Sequence, residues 1–255
     1  MRKIMVLFIT ACMFTVLSVY GCGVIGDESS EQIKEPKESS SEETESEEVA
    51  EVQQDEDAAA TVTAYSGELE NAEIAFICAS VGSAWNINEH FPGLNIAVYE
   101  EYQFDKGNVI RDLLGSAKPD IIMIKECAAY FPPGEEGAAM EVYRDLVRGW
   151  VNLCRGEAVI VVLTTVVPID PGNPGNRGGQ LESIVEYNDW IHDYSRSENI
   201  SVLDLEAAIR ASEGNRVLDP VYDCGDGLHL NDRAYSERLD HILIPVLEQA
   251  LEIGY

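Results

Sequence analysis

Two short stretches hold residues whose types and spacing could do nucleophilic chemistry. Directly after an apolar run, Cys78-Ala79-Ser80-Val81-Gly82-Ser83-Ala84-Trp85 places a serine in a turn of small residues. A hydroxyl at a strand-to-helix turn stands at the edge of a sheet, where backbone N–H groups can face the same point. The second stretch is Asp226-Gly227-Leu228-His229-Leu230-Asn231-Asp232-Arg233-Ala234-Tyr235, just before the last helical pattern. A histidine takes a proton from a serine only when its tautomer is fixed, and a carboxylate one turn away can fix it. Each stretch alone has a plainer reading: a small-residue turn, and a capping Asp or Asn beside a surface histidine. Together, Ser80, His229 and Asp226 would be nucleophile, base and orienting acid of an acyl-transfer site, with Ser83 as the alternative serine. The phosphate-cradling patterns G-x-x-x-x-G-K-[ST] and G-x-G-x-x-G are both absent.

Such residues need a frame. Ile74 to Cys78, Ile96 to Tyr99, Asp120 to Ile124, Ala158 to Leu163 and Ser201 to Leu203 read as short apolar strands. Between them, Val109 to Leu114, Ala138 to Cys154 and Leu181 to Tyr194 carry helical spacing. Leu205 to Ala211 reads as a short helix, and Ala234 to Ile253 as a closing one with a kink expected at Pro245. Continuous apolar strands alternating with amphipathic helices predict an α/β fold: a three-layer α/β/α sandwich around a central parallel sheet of about five strands. Ligands of such sheets sit beyond the carboxyl ends of the strands. Both stretches fall there.

With both stretches in place, the chain resembles the SGNH or GDSL hydrolase superfamily over residues 74 to 248. Ser80 matches the nucleophile, with Cys78 and Ala79 standing where the family has Gly and Asp, and Trp85 matches an aromatic of the same block. Asp226 and His229, with Gly227, Asn231 and Tyr235, match the last block; Glu186-Tyr187-Asn188 and Val202-Leu203-Asp204-Leu205 resemble the late helix and strand. The resemblance implies a serine esterase that needs no metal and no cofactor. It implies an oxyanion hole from the Ser80 N–H, a glycine, for which Gly107 is the best match, and an asparagine whose place here falls on Cys127. Lys125 could supply the missing donor, or could pair with Glu126 and fix the loop. Cys127 could instead face Cys78, as a disulfide or as two inert thiols. The implied substrate is an ester, a short acyl or acetyl group on a cell-envelope or extracellular carbohydrate. The competing class is a non-catalytic protein that kept the fold and binds an envelope ligand in the same cleft.

The rest of the chain bounds where this happens. Arg2 and Lys3 followed by the apolar run Ile4 to Val19 read as a signal segment over residues 1–21. Cys22 after Gly21 resembles the bacterial lipobox, which implies lipid on Cys22 and a place in the bacterial cell envelope, lipid-anchored and extracytoplasmic. Plain secretion and an uncleaved anchor helix are the other readings. Residues 22–66 then form an acidic Ser/Glu-rich linker; residues 27–60 hold 14 acids and 2 lysines, with almost no large apolar side chains. Such a segment buries too little to offset its ordering entropy, so disorder is expected. The folded domain is expected over 67–255. Residues 61–255 add 32 acids against 13 bases. A chain this acidic repels nucleic acid, and any membrane attachment should come from the lipid. The Pro/Gly-rich loop Pro168 to Gly179 reads as a substrate-side flap or a plain surface loop, with Arg177 a cation that could meet an acidic substrate. Tyr130-Phe131-Pro132-Pro133 is a second rim, and Asp219, Asp223 and Asp226 are spaced like metal ligands but read as a solvated acidic loop, since the chemistry needs no metal.

Overall fold

The computed structural model describes residues 65–132, 134, 137–173 and 179–254. The expected signal segment, Cys22 and nearly all of the linker lie outside the described residues, as do Pro133 and Arg177. The chain enters through a short helix α1 (Gly67–Asn71), capped by the Ser66 hydroxyl, and then forms β1 (Glu73–Cys78). The turns α2 (Ser80–Ser83) and α3 (Ile87–His90) lead to β2 (Asn95–Glu100). Then follow α4 (Lys106–Gly115), β3 (Ile121–Ile124), α5 (Gly137–Gly156), β4 (Ile160–Thr164), α6 (Gln180–Glu198) and β5 (Ser201–Leu203).

The five strands pair in parallel in the order β2-β1-β3-β4-β5. All residues of β3 and β4 are buried, because both faces of the sheet are covered. Side chains alternate between the faces. Ile74, Phe76, Met123 and Val162 pack toward Val81, Trp85, Leu243 and Leu247, while Ile77, Ile122, Ile124 and Leu163 pack toward Ile110, Val147, Val151 and Ile184. The result is the expected three-layer α/β/α sandwich with a five-stranded parallel sheet. The strand order reverses between β1 and β3, since β1 leaves toward β2 on one side and β3 leaves toward β4 on the other. Their carboxyl ends therefore splay apart into a crevice, the usual ligand site of such sheets.

Two elements differ from expectation. After α7 (Leu205–Ile209) the chain does not stay helical to Ala211; it forms a two-stranded antiparallel hairpin, β6 (Arg210–Ser212) and β7 (Asn215–Leu218), around Glu213-Gly214. These strands are too short for a period-two pattern to stand out. The closing helix comes in three pieces: α8 (Asp232–Ala234), a π-helical turn Tyr235–Leu239, and α9 (Asp240–Ile253), which runs through Pro245. Among the described residues no helix is long and apolar enough to cross a membrane.

Candidate active site

The turn carrying Ser80 lies tight against the end of β1. Ala79 is still extended, with φ −126° and ψ −169°, and the chain turns at Ser80. A Cβ on Gly82 would sit 2.4 Å from the Cys78 Cβ and 2.7 Å from its sulfur, so only glycine lets the turn lie this close to the strand. Ser83 folds back, its hydroxyl 3.2 Å from the Ser80 carbonyl, and is the serine that does not face the histidine.

The opposing loop is built by carboxylates that cap backbone N–H groups. Asp223 Oδ1 accepts from the Gly225 and Gly227 N–H groups at 2.9 and 3.0 Å. Gly227 has φ +72°, and a Cβ there would meet the Asn173 side chain at 2.6 Å. Asp226 Oδ1 accepts from the Leu228 and His229 N–H groups at 2.9 and 2.7 Å, which turns its Oδ2 to His229 Nδ1 at 2.6 Å. His229 Nε2 then stands 3.1 Å from Ser80 Oγ. With Nδ1–H donated to the carboxylate, Nε2 is the acceptor for the serine proton; this tautomer follows from the hydrogen-bond network. Burial works against the Asp226 charge, but hydrogen bonds from the His229 backbone and ring and from the Leu228 N–H outweigh it and hold the carboxyl down at about 2.

The two stretches are stitched together beneath the surface. Tyr235 donates its hydroxyl to the Val81 carbonyl at 2.9 Å, and its ring stacks on Trp85. The Trp85 indole N–H donates to Asp240 at 2.8 Å. The Asn231 amide donates to the Val221 and Asp223 carbonyls at 2.9 and 3.1 Å, while its oxygen caps α8. Tyr235 and Trp85 tie the closing helices to the serine turn, and Asn231 braces the histidine loop on itself. On the far side, the Asn188 amide holds the Val166 N–H and carbonyl at 2.7 and 2.8 Å, and Asp204 accepts from the Thr165 hydroxyl at 3.0 Å.

The positions expected to hold an oxyanion behave differently. Gly107 lies in the first turn of α4, where a Cβ would come 2.9 Å from the Trp150 indole nitrogen; close packing of α4 on α5 accounts for a glycine there. Lys125, 1% exposed, directly follows β3 and donates to the Glu126 carbonyl at 3.1 Å. Burial pushes its ammonium down from the ordinary lysine value, against the pull of the neighbouring Cys127 and Cys78 thiols. Glu126 does not pair with the Lys125 ammonium. Its carboxylate takes Lys106 at 3.2 Å, both side chains being buried. Sequence reasoning missed Lys106, although it lies on the same stripe of α4 as the buried Ile110 and Leu113. Cys78 and Cys127 are free buried thiols here, not a disulfide, and burial pushes the Cys78 thiol up to about 12. Two cavities of about 240 and 510 Å³, bordered by Val159 and Ile160, lie at the amino edge of the sheet. The chemistry-bearing groups converge at the opposite edge, and they rather than cavity size identify the site.

No family model and no curated protein matches the sequence. Solved structures do. A GDSL-like lipase from Bacteroides thetaiotaomicron superposes with a TM-score of 0.56 at 18% identity, over 74% of this chain and 91% of that one. A protein assigned as an acylhydrolase from Bacteroides fragilis gives 0.56 at 17%, over 71% and 86%. A protein assigned as an SGNH hydrolase from Slackia heliotrinireducens gives 0.54 at 14%, over 69% and 100%. The chain has the SGNH-hydrolase fold. Within this SGNH fold, Ser80 follows the first strand and His229 precedes the closing helix. Trp85 and Tyr235, which fasten the two stretches together, and Asn231, which braces the histidine loop, are among the residues that carried the resemblance in sequence.

Proposed function

We propose that the chain is a serine hydrolase acting on esters. The observation that carries this reading is the continuous relay Ser80 Oγ to His229 Nε2 at 3.1 Å and His229 Nδ1 to Asp226 at 2.6 Å, at the carboxyl edge of the sheet. Ser80 attacks the ester carbonyl carbon while His229 takes the hydroxyl proton. Asp226 stabilises the imidazolium and holds its orientation. The tetrahedral oxyanion is met by the Ser80 N–H, with the Lys125 ammonium acting as a fixed positive charge from beneath and the Gly107 and Cys127 segments flanking it. His229 then returns the proton to the leaving alcohol, and water resolves the acyl-enzyme. A fluorophosphonate probe added to the full-length chain should label Ser80. Ser80→Ala should abolish both labelling and hydrolysis of p-nitrophenyl acetate. Absence of labelling, together with no release from a panel of acylated sugars, would favour the ligand-binding reading instead.

Lys125→Met should lower turnover about tenfold to a hundredfold with little change in KM, since a charge that meets only the oxyanion acts on the transition state. An unchanged kcat would leave the oxyanion to backbone donors. The substrate we favour is a short acyl ester on a cell-envelope or extracellular carbohydrate, reached by a domain tethered through lipid on Cys22. The apolar run ending at Gly21 and the acidic linker after it support the tether. The mass of the mature N-terminus should show a diacylated or triacylated cysteine; an unmodified Cys22 would remove the anchor from this picture.

A further inference from the structure

One rim of the crevice is used by nothing in the mechanism above. Where β2 ends beside β1, Glu100 pairs in register with Cys78, and the Glu101 N–H donates to the Cys78 carbonyl at 2.9 Å. The Glu100 carboxylate is thus held at the level of the serine turn. The Tyr102 hydroxyl donates to it, and the Ser83 hydroxyl lies between it and the Ser80 carbonyl. These two hydroxyls hold the Glu100 carboxyl below its ordinary value, so it is charged and still exposed. The Tyr102 ring in turn meets the Tyr130 ring edge to face, with centroids 5.5 Å apart. Tyr130 is 41% exposed, and its backbone is pinned by the Tyr143 hydroxyl on its carbonyl at 2.5 Å. A charged, exposed carboxylate beside a tyrosine pair can receive an organic cation.

Charge at the mouth points the same way. Among the described residues, Lys106 and Lys125 are buried, while Glu100 beside the serine turn and Asp226 beside His229 are exposed. Residues 61–255 as a whole carry 32 acids against 13 bases. Such a field raises the local concentration of cations and disfavours anionic esters. We infer that the leaving-group side of the crevice is a subsite for a positively charged group: Glu100 and the Tyr102–Tyr130 pair take an alcohol, an amino alcohol or amino sugar, that bears an ammonium. The inference rests on the esterase reading of Ser80 and narrows its substrate. Ser83 of the nucleophile turn is itself a hydrogen-bond partner of Glu100, which sets the carboxylate beside that turn.

The test compares two acetate esters of the same shape, acetylcholine and its uncharged isostere 3,3-dimethylbutyl acetate, with p-nitrophenyl acetate as a reporter of the hydrolase itself. The full-length chain should prefer acetylcholine over the isostere about twofold to fivefold in kcat/KM, the size of an exposed cation–π contact. Glu100→Gln keeps an oxygen for the Tyr102 hydroxyl and should bring that ratio close to one, and Tyr130→Leu should move it the same way. A wild-type ratio near one, or a ratio unmoved by Glu100→Gln, overturns the subsite even if p-nitrophenyl acetate is cleaved. If no ester is cleaved, the hydrolase reading fails separately, and binding decides the subsite. Tetramethylammonium should then shift the tyrosine fluorescence saturably in the wild-type chain and not in Glu100→Gln. No saturable shift, or an equal response to the neutral sugar methyl glucoside, overturns it.

Discussion

Asp226→Asn is expected to lower turnover of p-nitrophenyl acetate by about 10³–10⁴-fold while leaving the fold intact, a magnitude of the size known for this substitution in Ser-His-Asp enzymes. The two carboxylate oxygens have separate tasks. Oδ1 accepts from the Leu228 and His229 backbone N–H groups and shapes the loop; Oδ2 accepts from His229 Nδ1. Asparagine keeps the first task, because its amide oxygen can stay on the backbone. It reverses the second, because its NH₂ can only donate to Nδ1. The ring then carries its proton on Nε2 and presents a donor to Ser80 Oγ, so the base is lost without disturbing the loop. Asp226→Ala loses both tasks and should also loosen the loop, so the asparagine variant is the informative one. A pH series adds an independent reading. The carboxyl is held at about 2 against an ordinary 3.8. A group with a depressed folded value adds stability that is present above the ordinary value and fades as pH falls toward the folded one. In the wild-type chain this increment should therefore vanish between about pH 4 and pH 2, and in Asp226→Asn that part of the acid dependence should be missing. An asparagine variant that kept a tenth or more of the wild-type turnover would remove Asp226 from the relay.

The parts of this picture legible in the sequence are those set by local periodicity and by short-range spacing. The inner strands β1, β3 and β4 are apolar runs, and burial on both faces makes them continuous, so they can be read without knowing their neighbours, whereas the edge strands β2 and β5 carry a weaker signal. Asp226 and His229 are one turn apart, and their contact is a local property of the loop. What lies between distant residues was legible only through family resemblance: nothing in the residues around Ser80 says that a histidine 149 positions later will stand 3.1 Å away. The partners of the buried charges were not legible for a related reason. Lys125 and Glu126 are adjacent and opposite in sign, which suggests a pair. In an extended segment adjacent side chains point to opposite faces, so Glu126 turns instead to Lys106 on α4 while Lys125 reaches its backbone carbonyl. Of the Glu100 and Tyr102–Tyr130 rim only Tyr130 was legible, as part of the Tyr130-Phe131-Pro132-Pro133 rim; Glu100 and Tyr102 join it from a strand end and a loop that only the sheet brings alongside.

Lys106→Met is expected to destabilise the domain by about 3–5 kcal/mol, the cost of leaving one member of a buried ion pair alone. The Lys106 and Glu126 side chains are 0% and 1% exposed, and the Glu126 Oε1 atom already lacks a hydrogen-bond partner. Burial pushes the Glu126 carboxyl up even with the Lys106 ammonium 3.2 Å away. Without that ammonium the carboxylate must either take up a proton or draw water into the core. The first route gives the prediction its sign with pH. A carboxyl whose folded value is raised is tolerated below its ordinary value and becomes costly as pH rises through the folded one. The gap between wild type and Lys106→Met should thus be widest at neutral pH and narrow in mild acid. Urea unfolding at the two pH values measures it through the midpoint, provided the slope is unchanged. The double variant Lys106→Met/Glu126→Gln removes both charges and should recover most of the loss, since an uncharged pair of similar volume often replaces a buried ion pair at little cost. If the double variant were no more stable than the single one, the methionine itself, through poor packing against Trp150 and its neighbours, would be the cause. Activity separates the two explanations further. A packing fault in α4 leaves Lys125 where it is, whereas an orphaned Glu126 carboxylate competes for the Lys125 ammonium and draws it from the Glu126 carbonyl. In the first case kcat survives in the folded fraction; in the second it falls with stability and returns in the double variant.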